Sequence, residues 1–470
     1  MCVFLLATVI FAFAPPDHAL VNSDLWWHLL NARNLLQNHS LSRVDTYSFT
    51  TAGSPWMNFE WLSEIPFFLA FDAFGWQGIM GLYFGIMVLI FAAVYYRTCR
   101  SGADYKDAAV ATAAAICLGG LSRSPRTQLF GWLCMMILLL VIDHFRRTGR
   151  GLWILPPLFA LWINLHGSWP FGLVVMALII ASGLIAGEYG NVVATRWTAV
   201  ELRKLLFVLG LSIAALFVNP FGYKLVLYPV DFTLRQQRLA QVVEEWRPVE
   251  FGTFNGTLTL VLILVLLGFF LFSCSRWRLD EVLLAVFALA SSLLHVRFLF
   301  FAALVLPPIL APRFSLFPPY DRELDKPWLN ATIMALLVCA MVWLFPSRER
   351  LQRAVSDGSP GAALEFMQKE HLTGRLFNEY EWGGFIEWHA PDLKTFVDGR
   401  TDIFVYNGVF DDLLRILSLD RSLEILDKYR IEYVLYEPNL PLTYLLQHSP
   451  NWRQIYSDSS FILFRRVTRN

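Results

Sequence analysis

Charge is what this sequence has least of. Asp, Glu, Lys and Arg together make up 16% of the 470 residues, against roughly a quarter in soluble domains. The 38 basic residues are matched by 38 acidic ones, which excludes a broad polybasic surface for nucleic acid or anionic headgroups. Specificity must therefore come from local sites. Cysteine is scarce as well: Cys2, Cys99, Cys117, Cys134, Cys274 and Cys339 all fall in or beside apolar runs, and the last third has none. That excludes a disulfide framework and a Cys-type zinc site. No basic residue precedes Arg33, so the opening MCVFLLATVIFAFA lacks the basic region of a secretory signal, although its AFA resembles a cleavage site. It reads instead as a first transmembrane helix whose beginning lies upstream of Met1. Neither an internal repeat nor a low-complexity segment is visible.

What is abundant is apolar. Hydrophobic residues reach 56% and aromatics 15%, with a mean hydropathy of +0.48, a membrane-protein composition. Apolar runs fall near 1–14, 78–96, 107–122, 128–145, 152–165, 169–187, 205–218, 257–274, 280–295, 298–311 and 329–345. The expected fold is an all-α polytopic domain over 1–345, with about eleven transmembrane helices, followed by a small extracytoplasmic α/β domain over 346–470. Short basic loops (Arg97/Arg100/Lys106, Arg146/Arg147/Arg150, Arg196/Arg203/Lys204, Arg276/Arg278, Arg313/Arg322/Lys326) all fall on one side of the helix count, which the positive-inside rule makes cytoplasmic. The opposite face then receives the loops 15–77 and 219–256, two short turns and the tail. In the tail, RLFNEY, KTFVDGR, EYVLYEP, WRQIYS and SFILFRR read as strands, with helical patterns at 381–389, 407–428 and 441–447. The sequons at Asn38, Asn255 and Asn330 carry little weight, the last falling on the cytoplasmic side.

The polar chemistry gathers on the outer face. In SDLWWHLLNARN, residues 23–34, Asp24, His28 and Asn31 share one side of a helix by i, i+3 and i+4 spacing. Such a helix is expected to lie in the interface, with Trp26 and Trp27 in the headgroup layer. Asp24 there is either a solvated acid of an anchor or a group with chemistry. The same loop continues as VDTYSFTTAGSPWMNFEWLSEI and adds Glu60 and Glu64. Converging carboxylates repel unless a cation, an acceptor or a basic role accounts for them; Glu64 reads as structural. Cations follow on that face: Arg123, Arg126 and Gln128 in SRSPRTQLF, His166 in NLHGSW, Glu245 and Arg247 in EEWRPVEF, His295 and Arg297 in LHVRFLF. Arginines beside apolar helices either snorkel to headgroups or hold an anion, and several on one face favour a phosphate site at Arg126, Arg247 and Arg297.

An acid after the first helix, an amphipathic helix, a long first outer loop with a second acid, a multi-helix core and an extracytoplasmic tail resemble the C-type (GT-C) glycosyltransferases. These include the protein O-mannosyltransferases, the aminoarabinose transferases of lipid A and the rhizobial galacturonosyltransferase-like proteins. The strings DLWWHL, GSPWMNFEWLSE, RTQLF, WINLHGSW, EYEWGGF and FVDGRTD are similar to a bacterial branch of that superfamily. The resemblance implies transfer of a sugar from a polyprenyl-phosphate donor to a glycan, lipid or protein acceptor at the outer face of the inner membrane, typically with inversion. It implies Asp24 as general base, Glu60 as the loop's second acid and the arginines on the departing phosphate. His28 would orient Asp24 or bind sugar, and Gln128, His166 and Glu245 would complete the substrate contacts. The departure is that Asp24 stands alone, where some relatives have an adjacent acidic pair. EYEWGGF with FVDGRTD is faintly similar to the WWDYG region of oligosaccharyltransferase catalytic subunits without the motif itself, so peptide recognition does not follow. Read without the resemblance, Gly383 and Gly384 allow close packing and Asp398 pairs with Arg400 within a turn. A divalent cation, Mg²⁺ or Mn²⁺, is compatible with the outer carboxylates, though no ligand spacing requires one. The competing functions are a flippase or transporter, against which stands the lack of a repeated half with a broken helix, and a non-catalytic envelope scaffold.

Overall fold

The computed structural model describes residues 1–13, 23–119, 124–235, 247–272, 275–321, 323 and 325–467. The chain divides into two compact units. The first comprises 1–15, 79–123 and 127–346, and the second 16–78, 124–126 and 347–470.

The first unit is helical. Every one of the eleven apolar runs carries a helix, from α1 (Cys2–Phe13) through Trp76–Arg100, Tyr105–Gly119, Gln128–Thr148, Leu155–Leu165, Trp169–Ser182, Ala199–Ala215, Phe254–Phe272, Leu279–Leu294 and Leu299–Leu310 to Pro327–Leu344. Length and composition qualify four segments among the described residues to cross a bilayer: Trp76–Arg100, Gln128–Thr148, Val296–Arg313 and Pro327–Asp357. Other apolar helices among the described residues, such as Trp169–Ser182 with 14 residues, are shorter than the roughly 20 that a perpendicular span needs. The ends carrying the basic loops are cross-braced by ion pairs: Arg97 on Asp143 at 2.6 Å, Arg146 on Asp280 at 2.9 Å and Arg313 on Glu281 at 2.7 Å. A three-stranded patch made of β1 (Gly187–Tyr189), β2 (Val192–Ala194) and β3 (Trp277–Arg278) lies in the same unit.

The second unit is α/β. All five strand readings of the tail are strands: β4 (Arg375–Asn378), β5 (Lys394–Thr395), β6 (Tyr433–Tyr436), β7 (Trp452–Ser457) and β8 (Ile462–Arg466). They form one sheet in the order β5-β4-β6-β8-β7, parallel across β5, β4 and β6 and antiparallel across β6, β8 and β7. β6, buried along its whole length, reads as a continuous YVLY run, as a central strand covered on both faces should. Beyond β5, residues 48–50 extend the sheet: Ser48 bridges Thr395, Phe49 N–H donates to the Thr395 carbonyl at 3.1 Å, and the Thr50 hydroxyl donates to the Phe396 carbonyl at 2.6 Å. Residues 16–78 thus fold together with 347–470.

Candidate functional site

Two helices carry the polar residues of the second unit. α2 (Ser23–Asn38) begins with Asp24 in its first turn, where a carboxylate opposes the positive end of the helix dipole. It ends where His39 takes a left-handed φ of 51° and its N–H caps the Leu35 carbonyl at 2.8 Å. α3 (Trp61–Phe74) places Glu64 in its first turn and stops at Gly75, whose φ of 60° with ψ of −144° suits a residue without a Cβ. The two helices pack on each other and α2 also packs on the helix Gly383–His389.

That packing corrects the expected interfacial placement. Trp26 and Trp27 are buried. Trp26 meets Trp76, Phe385 and His389 edge-on with ring centroids 5.0, 5.1 and 4.8 Å away, and Trp27 lies 3.7 Å from the His28 ring. Indole suits a protein core as well as a headgroup layer, and the tail domain supplies the core here. Gly383 makes the approach of its helix possible: a Cβ there would sit 2.3 Å from the Val397 carbonyl oxygen and 2.5 Å from Asp398 Cα.

Four of the sequence-derived site residues come together. Arg126 Nε lies 3.6 Å from Asp24 Oδ2, with both side chains partly open to solvent at 31% and 24%, and Trp27 Nε1 donates to Asp24 Oδ1 at 3.4 Å. His28 does not orient Asp24 by direct contact. Its Nδ1 lies 2.9 Å from Glu64 Oε1 and its Nε2 3.5 Å from Glu60 Oε2. His28 thus bridges the two glutamates. Burial by itself disfavours the imidazolium, but the Glu64 hydrogen bond and the charges of Glu64, Glu60 and Asp24 outweigh it, and the His28 pKa is raised above 6.5.

Glu64, fully buried, also accepts from Asn31 Nδ2 at 3.3 Å and Asn58 Nδ2 at 2.7 Å. The network continues outward, with Tyr47 OH donating to Asn31 Oδ1 at 2.7 Å and Asn34 Nδ2 donating to Tyr47 OH at 2.9 Å. The Tyr47 ring lies under the Arg400 guanidinium at 4.7 Å. Tyr380, whose hydroxyl donates to the Gly399 carbonyl at 3.1 Å, is held protonated by burial and by the negative charge of Asp24. Beside it, burial lifts Glu379 from 4.5 to about 7. Sequence reasoning missed Asn58, Tyr47, Tyr380 and the reach of Glu64. The signal in hand was the i, i+4 spacing of Glu60 and Glu64, which sets both at the start of one helix.

The other sequence-derived residues lie elsewhere. Gln128 opens its helix in the first unit. His166 ends Leu155–Leu165, buried, with its Nδ1 accepting from Ser168 N–H at 3.1 Å and Gly131 packed against its ring. Arg247, exposed, is joined to the His295–Arg297 turn because its carbonyl accepts from Val296 N–H at 3.2 Å; Arg247 and Arg297 are thus neighbours within the first unit. Arg123 and Glu245 lie outside the described residues. Among the described residues, no group of three or more His, Cys, Asp or Glu side chains is arranged to hold a metal ion. The Mg²⁺ or Mn²⁺ reading finds no donor set there, and no step below is routed through a metal.

No protein-family model matches the chain, and no curated protein matches it. A solved structure does. The crystal structure of the Archaeoglobus fulgidus oligosaccharyltransferase, tethered by a disulfide to an acceptor peptide containing the NVT sequon, superposes with a TM-score of 0.53 at 13% identity, covering 99% of this chain and 74% of that one. At that identity the likeness is one of fold alone.

Proposed function

We propose that this chain transfers a sugar from a polyprenyl-phosphate donor to an envelope acceptor, working at the outer face of a bacterial inner (plasma) membrane with its C-terminal domain extracytoplasmic. The observation that carries the reading is the Asp24–Arg126 pair, a solvent-reachable carboxylate and guanidinium 3.6 Å apart in a chain with this fold. The acceptor hydroxyl gives its proton to Asp24 as its oxygen bonds to the anomeric carbon. The bond from that carbon to the phosphate oxygen breaks, and the lipid phosphate leaves with the electron pair. Arg126 faces the charge that develops on the phosphate. At 3.6 Å the pair is longer than a hydrogen bond, so a substrate phosphate can compete with Asp24 for Arg126.

Glu60, held by His28, is the second acid, positioned for the sugar hydroxyls. Arg247 with Arg297, and separately Gln128, His166 and Glu245, are further candidates for donor phosphate and sugar in the membrane unit. The acceptor is a glycan, a lipid or a protein. The test is mass analysis of envelope glycans and polyprenyl-phosphate sugars in cells lacking the protein, complemented with wild type or Asp24→Asn. Wild type should clear an accumulated lipid-linked sugar and restore its glycan product, and the Asn variant should not. Complete rescue by Asp24→Asn would remove Asp24 from the chemistry.

A further inference from the structure

We propose that Glu64 is a positioning residue: it fixes the tautomer and charge of His28 through Nδ1 and thereby makes Nε2–H the group that holds Glu60. The inference rests on the reading of Asp24 and Glu60 as the site's two acids, and it starts from the directions of the hydrogen bonds. Asn58 is oriented without ambiguity, because its Oδ1 accepts from the Glu60 backbone N–H at 3.2 Å, which can only donate. Its amide NH₂ therefore points at Glu64 Oε2. Asn31 completes the arrangement, with its Oδ1 taking the Tyr47 hydroxyl proton while Tyr47 accepts from Asn34. Its NH₂ points at Glu64 Oε1. A carboxyl with two amide donors committed to it and no exposure to water is an acceptor, so the proton on the 2.9 Å contact belongs to His28 Nδ1.

The consequence falls on the other ring nitrogen. Nε2 lies 3.5 Å from Glu60 Oε2. Without a proton it would set a lone pair against a carboxylate, whereas with one it forms an ion pair. The charged groups facing His28 are Glu60 and Glu64 at the head of α3 and Asp24 on α2 itself, the last shared with Arg126. Their sum favours the imidazolium. A buried acid orienting an imidazole that serves another group is the logic of a catalytic triad. Here the imidazolium cancels one negative charge, letting Glu60 and Asp24 stay ionised as neighbours. Loss of that proton would remove this ion pair from Glu60 and raise mutual repulsion in the site.

The experiment is nitrogen NMR of the purified full chain in nanodiscs with ¹⁵N-labelled histidine, the His28 signals identified by their loss in His28→Gln. Wild type should titrate above its ordinary value, and above the midpoint its neutral form should carry the proton on Nδ1. A neutral form protonated on Nε2 overturns the proposal without any variant. In Glu64→Gln the midpoint should fall by about one pH unit or more, the scale of a nearby charge. In Glu60→Gln it should fall by less, since that contact is longer; the reverse order overturns the proposal. In a sugar-transfer assay Glu64→Gln should lower kcat more than it raises KM and move the alkaline limb of the pH profile down, with partial return in Glu64→Asp. An unchanged profile beside a shifted His28 midpoint reduces Glu64 to a structural role and sinks the positioning claim. Correct His28 behaviour in a wild-type chain that transfers no sugar overturns the glycosyltransferase reading while supporting the Glu64 to His28 coupling.

Discussion

Arg400 grips Asp398 and Asp45 with one guanidinium where water does not reach: its Nη2 lies 2.5 Å from Asp398 Oδ2 and 2.7 Å from Asp45 Oδ1, with all three side chains fully buried. The rings of Tyr47 and Trp56 flank it at 4.7 and 4.9 Å. Removing one member of a buried pair leaves the others uncompensated, at about 3–5 kcal/mol. Arg400→Met is therefore expected to lower the melting temperature of the purified chain sharply. Arg400→Lys should recover only part of the loss, because a point charge cannot form the fork on Asp398. Scanning fluorimetry of the three proteins settles it, and an unshifted Arg400→Met would contradict the burial of the pair.

The Asp24–Arg126 pair predicts the opposite balance of activity and stability. Asp24→Asn should reduce sugar transfer by about 10²–10⁴-fold, the usual worth of a general base. Its melting temperature should stay near that of wild type, since exposed pairs contribute about 0–1 kcal/mol. Paired rate and melting measurements on one preparation decide it; a large stability loss would make Asp24 a folding residue.

Glu379 and Asp45 give stability pH-dependences of opposite sign. Burial holds Glu379 protonated up to about pH 7, against 4.5 when free. The folded state thus keeps a proton that the unfolded chain releases, and stability falls as pH rises from 4.5 to about 7, then levels. Glu379→Gln removes this effect, so its melting temperature should gain on wild type across that window and run parallel above it. For Asp45, burial opposes ionisation, but Arg400 and the hydrogen bonds of Ser48 and Tyr47 win and depress its pKa below 3.8. Its contribution is present above 3.8 and disappears as pH falls through the lower folded value. Asp45→Asn should accordingly flatten the acid limb of a melting-temperature profile.

Gly383→Ala is a steric test of how the helix Gly383–His389 packs on residues 397–398. The added carbon would lie 2.3 Å from a carbonyl oxygen and 2.5 Å from a backbone carbon, neither of which can rotate away. Overpacking of this sort costs about 1–3 kcal/mol. Gly384→Ala, one residue on, serves as the comparison in the same melting assay, and equal effects would argue against close approach at Gly383 in particular.

The apolar runs were legible because a membrane helix is written in consecutive residues, and all eleven are helical. The five tail strands were legible for the same reason, each lying in a short segment that carries β-branched or aromatic residues. Asp24 and Arg126 could be singled out because both stand at the margins of apolar segments. The Asp45–Arg400 pair could not, since the partners are joined only by a sheet edge formed across most of the chain. Glu64 was read as structural because helical spacing tells which face a residue occupies and says nothing of what packs against that face. The tryptophans misled for a related reason: the preference of indole for a headgroup layer is real, but Phe385 and Trp388, more than three hundred residues on, offer Trp26 a drier partner.

The strand-like pairing of residues 48–50 with β5 also sets a timetable. Thr50 and its partner Phe396 are 346 residues apart, which at about 5–20 residues per second occupies a ribosome for on the order of 20–70 s. Throughout that interval the first loop has no strand edge to join. Asp45 waits as well for the guanidinium that will neutralise it. A chain that stops between Leu344 and Lys394 carries every apolar helix of the first unit and has no partner strand for residues 48–50.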